Sequence, residues 1–157
     1  MKIRVNTLWK VPVFCAVASY LSFFVTVYLG GPFYTVETPE ADGAVMLSVD
    51  PVRSALFSGG LFVIVLFLGG LWAFRSMTKV EIAVSAAILS AVGLAVVLAQ
   101  LYLPGFPLAL SMKLAYFQHW SSNVSTLLYK STGNFDFSVI AANFSPFLFV
   151  PFGKKKN

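Results

Sequence analysis

The chain has 157 residues, enough for one small domain, of which 58% are hydrophobic and only 11% charged. A water-soluble domain carries about a quarter charged residues, so this one cannot cover its surface with polar groups and must be solvated partly by lipid. The net charge of +5 does not point to nucleic acid, because the basic residues sit at segment ends rather than on one face.

Met1 to Lys10 carries Lys2, Arg4 and Lys10 with no acid, and 19 uncharged residues follow from Val11 to Leu29. The charge order resembles a signal peptide. The apolar run is longer than a signal core, however, and no A-x-A site follows it, so the stretch reads as a retained first transmembrane helix over 11–29. Gly30-Gly31-Pro32 is expected to end it, and Pro12 falls in its first turn, where a missing N–H costs little. Cys15, Ser19, Ser22 and Thr26 recur on one face. They serve either as a seam toward other helices or as hydroxyls bonded to their own backbone. As the single cysteine, Cys15 excludes an internal disulfide, a CxxC pair and a cysteine zinc site, and reads as a packing residue.

Residues 30–53 form an acidic loop with Glu37, Glu40, Asp42 and Asp50 against Arg53. Pro39, Asp42-Gly43 and Pro51 are turn signals, and Ala44 to Val49 is either a short strand or an interfacial dip. The spacing of a calcium loop is absent, so the acids read as solvated. A second span covers 54–74. Ala55 and Gly59 make a small-xxx-small pair, Gly69-Gly70 permit close approach, and Trp72 is placed as an interfacial anchor.

Thr78 and Glu81 fit a capping box that opens a third span over 79–103. From Ile82 to Leu103 it has 22 uncharged residues, more than a ~30 Å hydrocarbon core requires. Ala83, Ala87, Ala91, Ala95 and Ala99 follow at four-residue intervals and share one side of this helix, where other backbones can come close. The helix is expected to act as the spine of the bundle. Pro104-Gly105-Phe106-Pro107 closes it.

Residues 108–130 are different in character. Leu110, Leu114, Phe117, Val124 and Leu128 follow helical spacing, with Ser111, Gln118, Ser122 and Ser125 on another face. Lys113, His119 and Lys130 argue against a span, and Tyr116, Trp120 and Tyr129 favour an interface. The segment reads as an amphipathic helix, whole or broken, lying along the membrane surface or as a lid over the bundle. After a turn at Ser131 to Asn134, residues 135–152 form the shortest span or a re-entrant loop. Pro146 is expected to kink it and free the Ala142 carbonyl, with Asn143 satisfying backbone groups nearby. A basic tail occupies 153–157.

The expected fold is an all-α integral membrane protein: a four-transmembrane-helix bundle with both termini cytoplasmic and an interfacial helix between helices 3 and 4. This orientation puts eight of the eleven cations inside and five of the six acids outside. The expected location is the plasma membrane, or the endoplasmic reticulum in a eukaryote, where the sequon at Asn123 and the Lys154-Lys155 pair would gain meaning.

No proposed span has a charge near its middle, which argues against a proton relay or a cation carrier. A lone histidine, His119, excludes HExxH and multi-histidine sites, and no GxSxG is present. No catalytic residue, cofactor or metal is expected. The expected partners are the lipid bilayer and either another membrane protein or a second copy of the chain. The function expected is non-enzymatic: an accessory, scaffold or assembly subunit, or a self-associating bundle, acting through lateral helix contacts. The alternative is a transporter or channel component for a neutral or lipid-like molecule. An enzyme using the acidic loop and His119 ranks third.

Overall fold

The computed structural model describes residues 4–39 and 45–155, without the side chains at 108, 111, 112 and 114–118. The expected turn at Asp42-Gly43, together with Lys2, Glu40, Ala44 and Lys156, lies outside these residues, as do the side chains of Ser111, Leu114, Tyr116, Phe117 and Gln118. The chain is predominantly helical. Four helical stretches are long and apolar enough to cross a membrane: Val5–Tyr34, Pro51–Ala73, Lys79–Tyr102 and Phe135–Phe152.

The first begins with a single turn over Val5–Thr7 and continues as α1 (Lys10–Val25). It does not stop at Gly30-Gly31-Pro32. A wide π turn over Thr26–Gly30 carries it into α2 (Gly31–Tyr34). Proline has no N–H to give to the preceding turn, and the wider bonding pattern lets the chain remain helical past it. The Tyr34 hydroxyl donates back to the Thr26 carbonyl at 3.2 Å. The loop that follows is a hairpin of β1 (Thr35–Pro39) and β2 (Val45–Val49), antiparallel with Thr35 opposite Val49 and Pro39 opposite Val45. Of the two readings of this stretch, the strand is the one realised.

α3 (Pro51–Phe67) starts a turn earlier than residue 54 because Asp50 caps it. The Asp50 carboxylate accepts from the Val52 and Arg53 amides at 2.8 and 3.1 Å, and Pro51 occupies the first turn. The Arg53 and Val52 amides hold the Asp50 carboxyl below its ordinary pKa. A second π turn, Leu68–Ala73, completes this stretch. α4 (Lys79–Tyr102) opens with the expected capping box: the Glu81 amide donates to Thr78 Oγ1 at 3.3 Å and the Thr78 amide to Glu81 Oε2 at 2.9 Å.

α5 (Leu108–Thr132) is one unbroken helix, ended by Gly133 at φ 68°. It packs on α1, on α6 (Phe135–Ala142) and on α3. Its second half runs antiparallel to α3: Trp120 stacks on Phe62, Leu127 faces Gly59, and the Lys130 ammonium donates to the Pro51 carbonyl. Trp120 is not an interfacial anchor. It is 3% exposed. Among the described residues, five hydroxyls of α5 bond to its own backbone, Ser122 to His119, Ser125 and Thr126 to Ser122, and Ser131 and Thr132 to Leu128, which reduces the cost of packing this polar helix against apolar neighbours.

After α6 the chain turns at Asn143 and Phe144 and continues as a 3-10 helix, Ser145–Phe152. Pro146 and Pro151 rule out α-helical bonding here. The tighter helix rises ~2.0 Å per residue against ~1.5 Å. Eight residues of each kind with the two between them therefore reach about 30 Å, a full hydrocarbon thickness, from only 18 residues.

The core is aromatic and centres on Phe149. Its ring lies 4.9 Å from Phe74, 5.8 Å from Phe14 and 5.5 Å from Trp120, which stacks in turn on Phe62. Gly69 and Gly70 make room for this group: a Cβ on Gly69 would lie 2.5 Å from the Phe149 ring, and one on Gly70 would run into the Phe152 ring. The glycine pair is thus used for packing rather than as a hinge. Replacing Phe149 by Ala is expected to cost about 3–5 kcal/mol. Reversible unfolding in mixed micelles measures this, and a loss below ~1 kcal/mol would contradict the placement of the core.

Candidate functional site

α4 has two small-residue faces, one turned in and one turned out. The inner face is Ile82, Ser85, Ala86, Ser90, Gly93 and Val97, all buried. It packs on the 3-10 stretch and on α1. Two of its hydroxyls make bonds between elements: Ser85 donates to the Leu8 carbonyl, and Ser90 to the Asn143 carbonyl at 2.7 Å. The second bond satisfies an acceptor exposed by the break in the fourth stretch, while Asn143 Nδ2 donates to the Val139 carbonyl at 2.9 Å. The alanine stripe lies on the other side. Ala87, Ala91 and Ala95 are exposed, with Ala83 and Ala99 half-buried at its ends. Ile88 and Val92 are exposed beside them. The expectation that the alanines form the spine on which the bundle leans is therefore corrected, because the bundle leans on the serine-bearing face.

The Ala55/Gly59 pair has the opposite placement. Gly59 faces the Leu127 methyl, 3.9 Å from where its Cβ would stand, and Ala55 borders a surface cleft shared with Leu127 and Lys130. This pair seats α5 on α3 within the chain. The α1 seam also turns inward: Cys15, Ser19 and Ser22 are buried, and Ser19 Oγ accepts the Trp120 amide at 3.3 Å. Thr26 Oγ1 lies 3.4 Å from His119 Nε2, and the Phe23 ring packs edge-on to the same imidazole at 5.6 Å. His119 is thereby engaged with the first span.

One end of the bundle is tied by ionic and backbone bonds. Arg4 reaches Glu81 through Nε at 2.9 Å, Nη2 at 3.0 Å and its own amide at 3.2 Å, and also donates to the Ser76 carbonyl. With the Thr78 amide, the carboxylate has four donors and is buried, 3% exposed. The tail joins the same place: the Lys154 amide donates to the Met77 carbonyl at 3.0 Å, and the Lys79 amide to the Lys154 carbonyl at 3.2 Å. Both the N-terminal segment and the tail therefore close on the 74–81 connection. The capping box at Glu81 is visible in sequence, whereas its partner Arg4, 77 residues away, is not.

A cavity of 190 Å³ between α5 and α6 is lined by Ser121, Ser122, Ser125, Phe135, Val139, Ala142 and Asn143. Ser22 Oγ, Asn123 Nδ2 and Ser145 Oγ are buried without a hydrogen-bond partner among the described residues. No group of three or more metal-ligating side chains occurs among the described residues. Comparisons with protein-family models, curated proteins and solved structures give no match.

Glu81→Gln removes the charge that gathers these donors. Charge-assisted hydrogen bonds are about twice as strong as neutral ones, so amide exchange at Arg4 and its neighbours is expected to accelerate about tenfold or more. Hydrogen exchange read by mass spectrometry checks this, and unchanged protection of residues 4–8 would show that the pair does not hold the segment.

Proposed function

We propose that the chain is a non-enzymatic, multi-pass membrane protein that works through lateral helix contacts, as an assembly or scaffold subunit or as a self-associating bundle. The observation that carries this is the outward alanine face of α4. In lipid, helices associate by close packing rather than by hydrophobic exclusion, and small residues permit the closest approach. A small-residue face already filled by the chain's own helices would offer nothing to a partner. Ala87, Ala91 and Ala95 are exposed, whereas the internal packing of α4 uses a different face. Transport of a neutral or lipid-like molecule gains less support, because Phe149, Trp120 and Phe62 fill the middle of the bundle.

In this reading both termini and the 74–81 connection lie in the cytoplasm, and the hairpin and Asp50 lie outside. The plasma membrane is the natural location. α5, anchored on α1 and α3, serves as a wedge that begins at the outer boundary, and the fourth stretch spans rather than re-enters.

Ala91→Leu combined with Ala95→Leu is expected to leave the fold intact, since both positions are exposed, and to weaken lateral association about tenfold, equivalent to ~1.4 kcal/mol, by blocking close backbone approach. Single-molecule photobleaching of the labelled chain in liposomes, alone and with proteins that co-purify from native membranes, reads this. Unchanged association in both settings contradicts the proposal. For the orientation, tags at the two ends should become accessible together, and only after permeabilisation. Accessibility of one without the other rules the four-span arrangement out.

A further inference from the structure

We propose that the end of the bundle formed by residues 4–10, 74–81 and 153–155 is a binding surface for anionic phospholipid headgroups. Three segments distant in sequence meet there. Arg4 and Lys10 come from the first, Arg75 and Lys79 from the second, and Lys154 and Lys155 from the third. Specific bonds make this a single surface: Arg4 to Glu81 and Ser76, Lys10 Nζ to Ser76 Oγ at 3.3 Å, and the backbone pairing of Lys154 with Met77 and Lys79.

Its charge balance is one-sided. Glu81 is the one acid at this end among the described residues, and it is buried under Arg4. It therefore neutralises one cation and leaves five with no acid among them, Arg75, Lys154 and Lys155 exposed and Lys10 and Lys79 half-buried. Outside these three segments, Glu37, Asp50 and Asp136 stand against Arg53, Lys113 and Lys130. The aromatic residues fix the depth of the basic end. Trp9 is 57% exposed and Trp72 is 81% exposed, and both lie within a few residues of the cations. Exposed tryptophan beside lysine and arginine at a helix end lies at headgroup level, where the anions within reach are lipid phosphates. An aqueous polyanion would not require the flanking indoles. This inference does not depend on the alanine face of α4.

The test uses the full chain in phosphatidylcholine vesicles that contain phosphatidylglycerol, with one lipid brominated at a time. Brominated lipid quenches Trp9 and Trp72, and Trp120 is buried in the core. The expected result is a binding constant for the anionic lipid at least about fivefold that for phosphatidylcholine, falling toward one in high salt. Lys154→Gln with Lys155→Gln should reduce the preference severalfold. These side chains take no part in the backbone pairing, so the tail should stay docked. Lys130→Gln, at the opposite end, should leave the preference unchanged. A ratio near one in the wild type would overturn the proposal, even if the variants failed to fold. A preference insensitive to the tail lysines or equally sensitive to Lys130 would also overturn it, as would retention of an oligonucleotide or acidic protein without any lipid preference.

Discussion

A chain in hydrocarbon must satisfy its own backbone, because no water is present to do so. This requirement governs the irregular parts of the bundle. The first stretch passes Pro32 by widening into a π turn, with the Tyr34 hydroxyl returning to the Thr26 carbonyl. The fourth cannot remain α-helical through Pro146 and Pro151, so it tightens into a 3-10 helix. Its exposed acceptor at Asn143 is met by Ser90 of α4. That bond fixes which face of α4 turns inward. The alanines, four residues apart on the other side, are consequently left outside.

The same constraint accounts for α5. A helix carrying His119, Asn123 and seven serines or threonines is a poor choice for lipid exposure. It is a workable one among other helices, where several of its hydroxyls bond their own backbone and Ser19 meets the Trp120 amide. With Trp120 held between Phe62 and Phe149, the helix joins the first, second and fourth stretches through one aromatic group. The glycines of the second π turn complete that group by making room for Phe149 and Phe152.

Much of this is legible in the residues. The four apolar stretches, the Thr78–Glu81 cap, the packing use of Gly69-Gly70, the disruption at Pro146 and the role of Asn143 follow from composition and local chemistry. What is not legible depends on contacts distant in sequence. Residue size alone cannot tell the two faces of α4 apart, because Ser85, Ala86, Ser90 and Gly93 are as small as the alanines. The hydroxyls were the available signal, since a serine in lipid seeks a partner. Trp120 looks like an interfacial anchor because the same indole suits an interface and a core. Only the presence of Phe62 and Phe149 decides between them. Arg4 is one basic residue among several near the N-terminus until the fold brings it to Glu81.

The account rests on the outward alanine face of α4 being a contact surface in the membrane. The most direct measurement is a cysteine crosslinking scan along α4, with the native buried Cys15 replaced by Ala so that each introduced thiol is the sole one. Ala87→Cys, Ala91→Cys and Ala95→Cys should each yield a crosslinked product with a second polypeptide in native membranes, while Ala86→Cys and Val97→Cys, on the buried face of the same helix, yield less. Equal crosslinking on both faces of α4, or none at the three alanines, would contradict it.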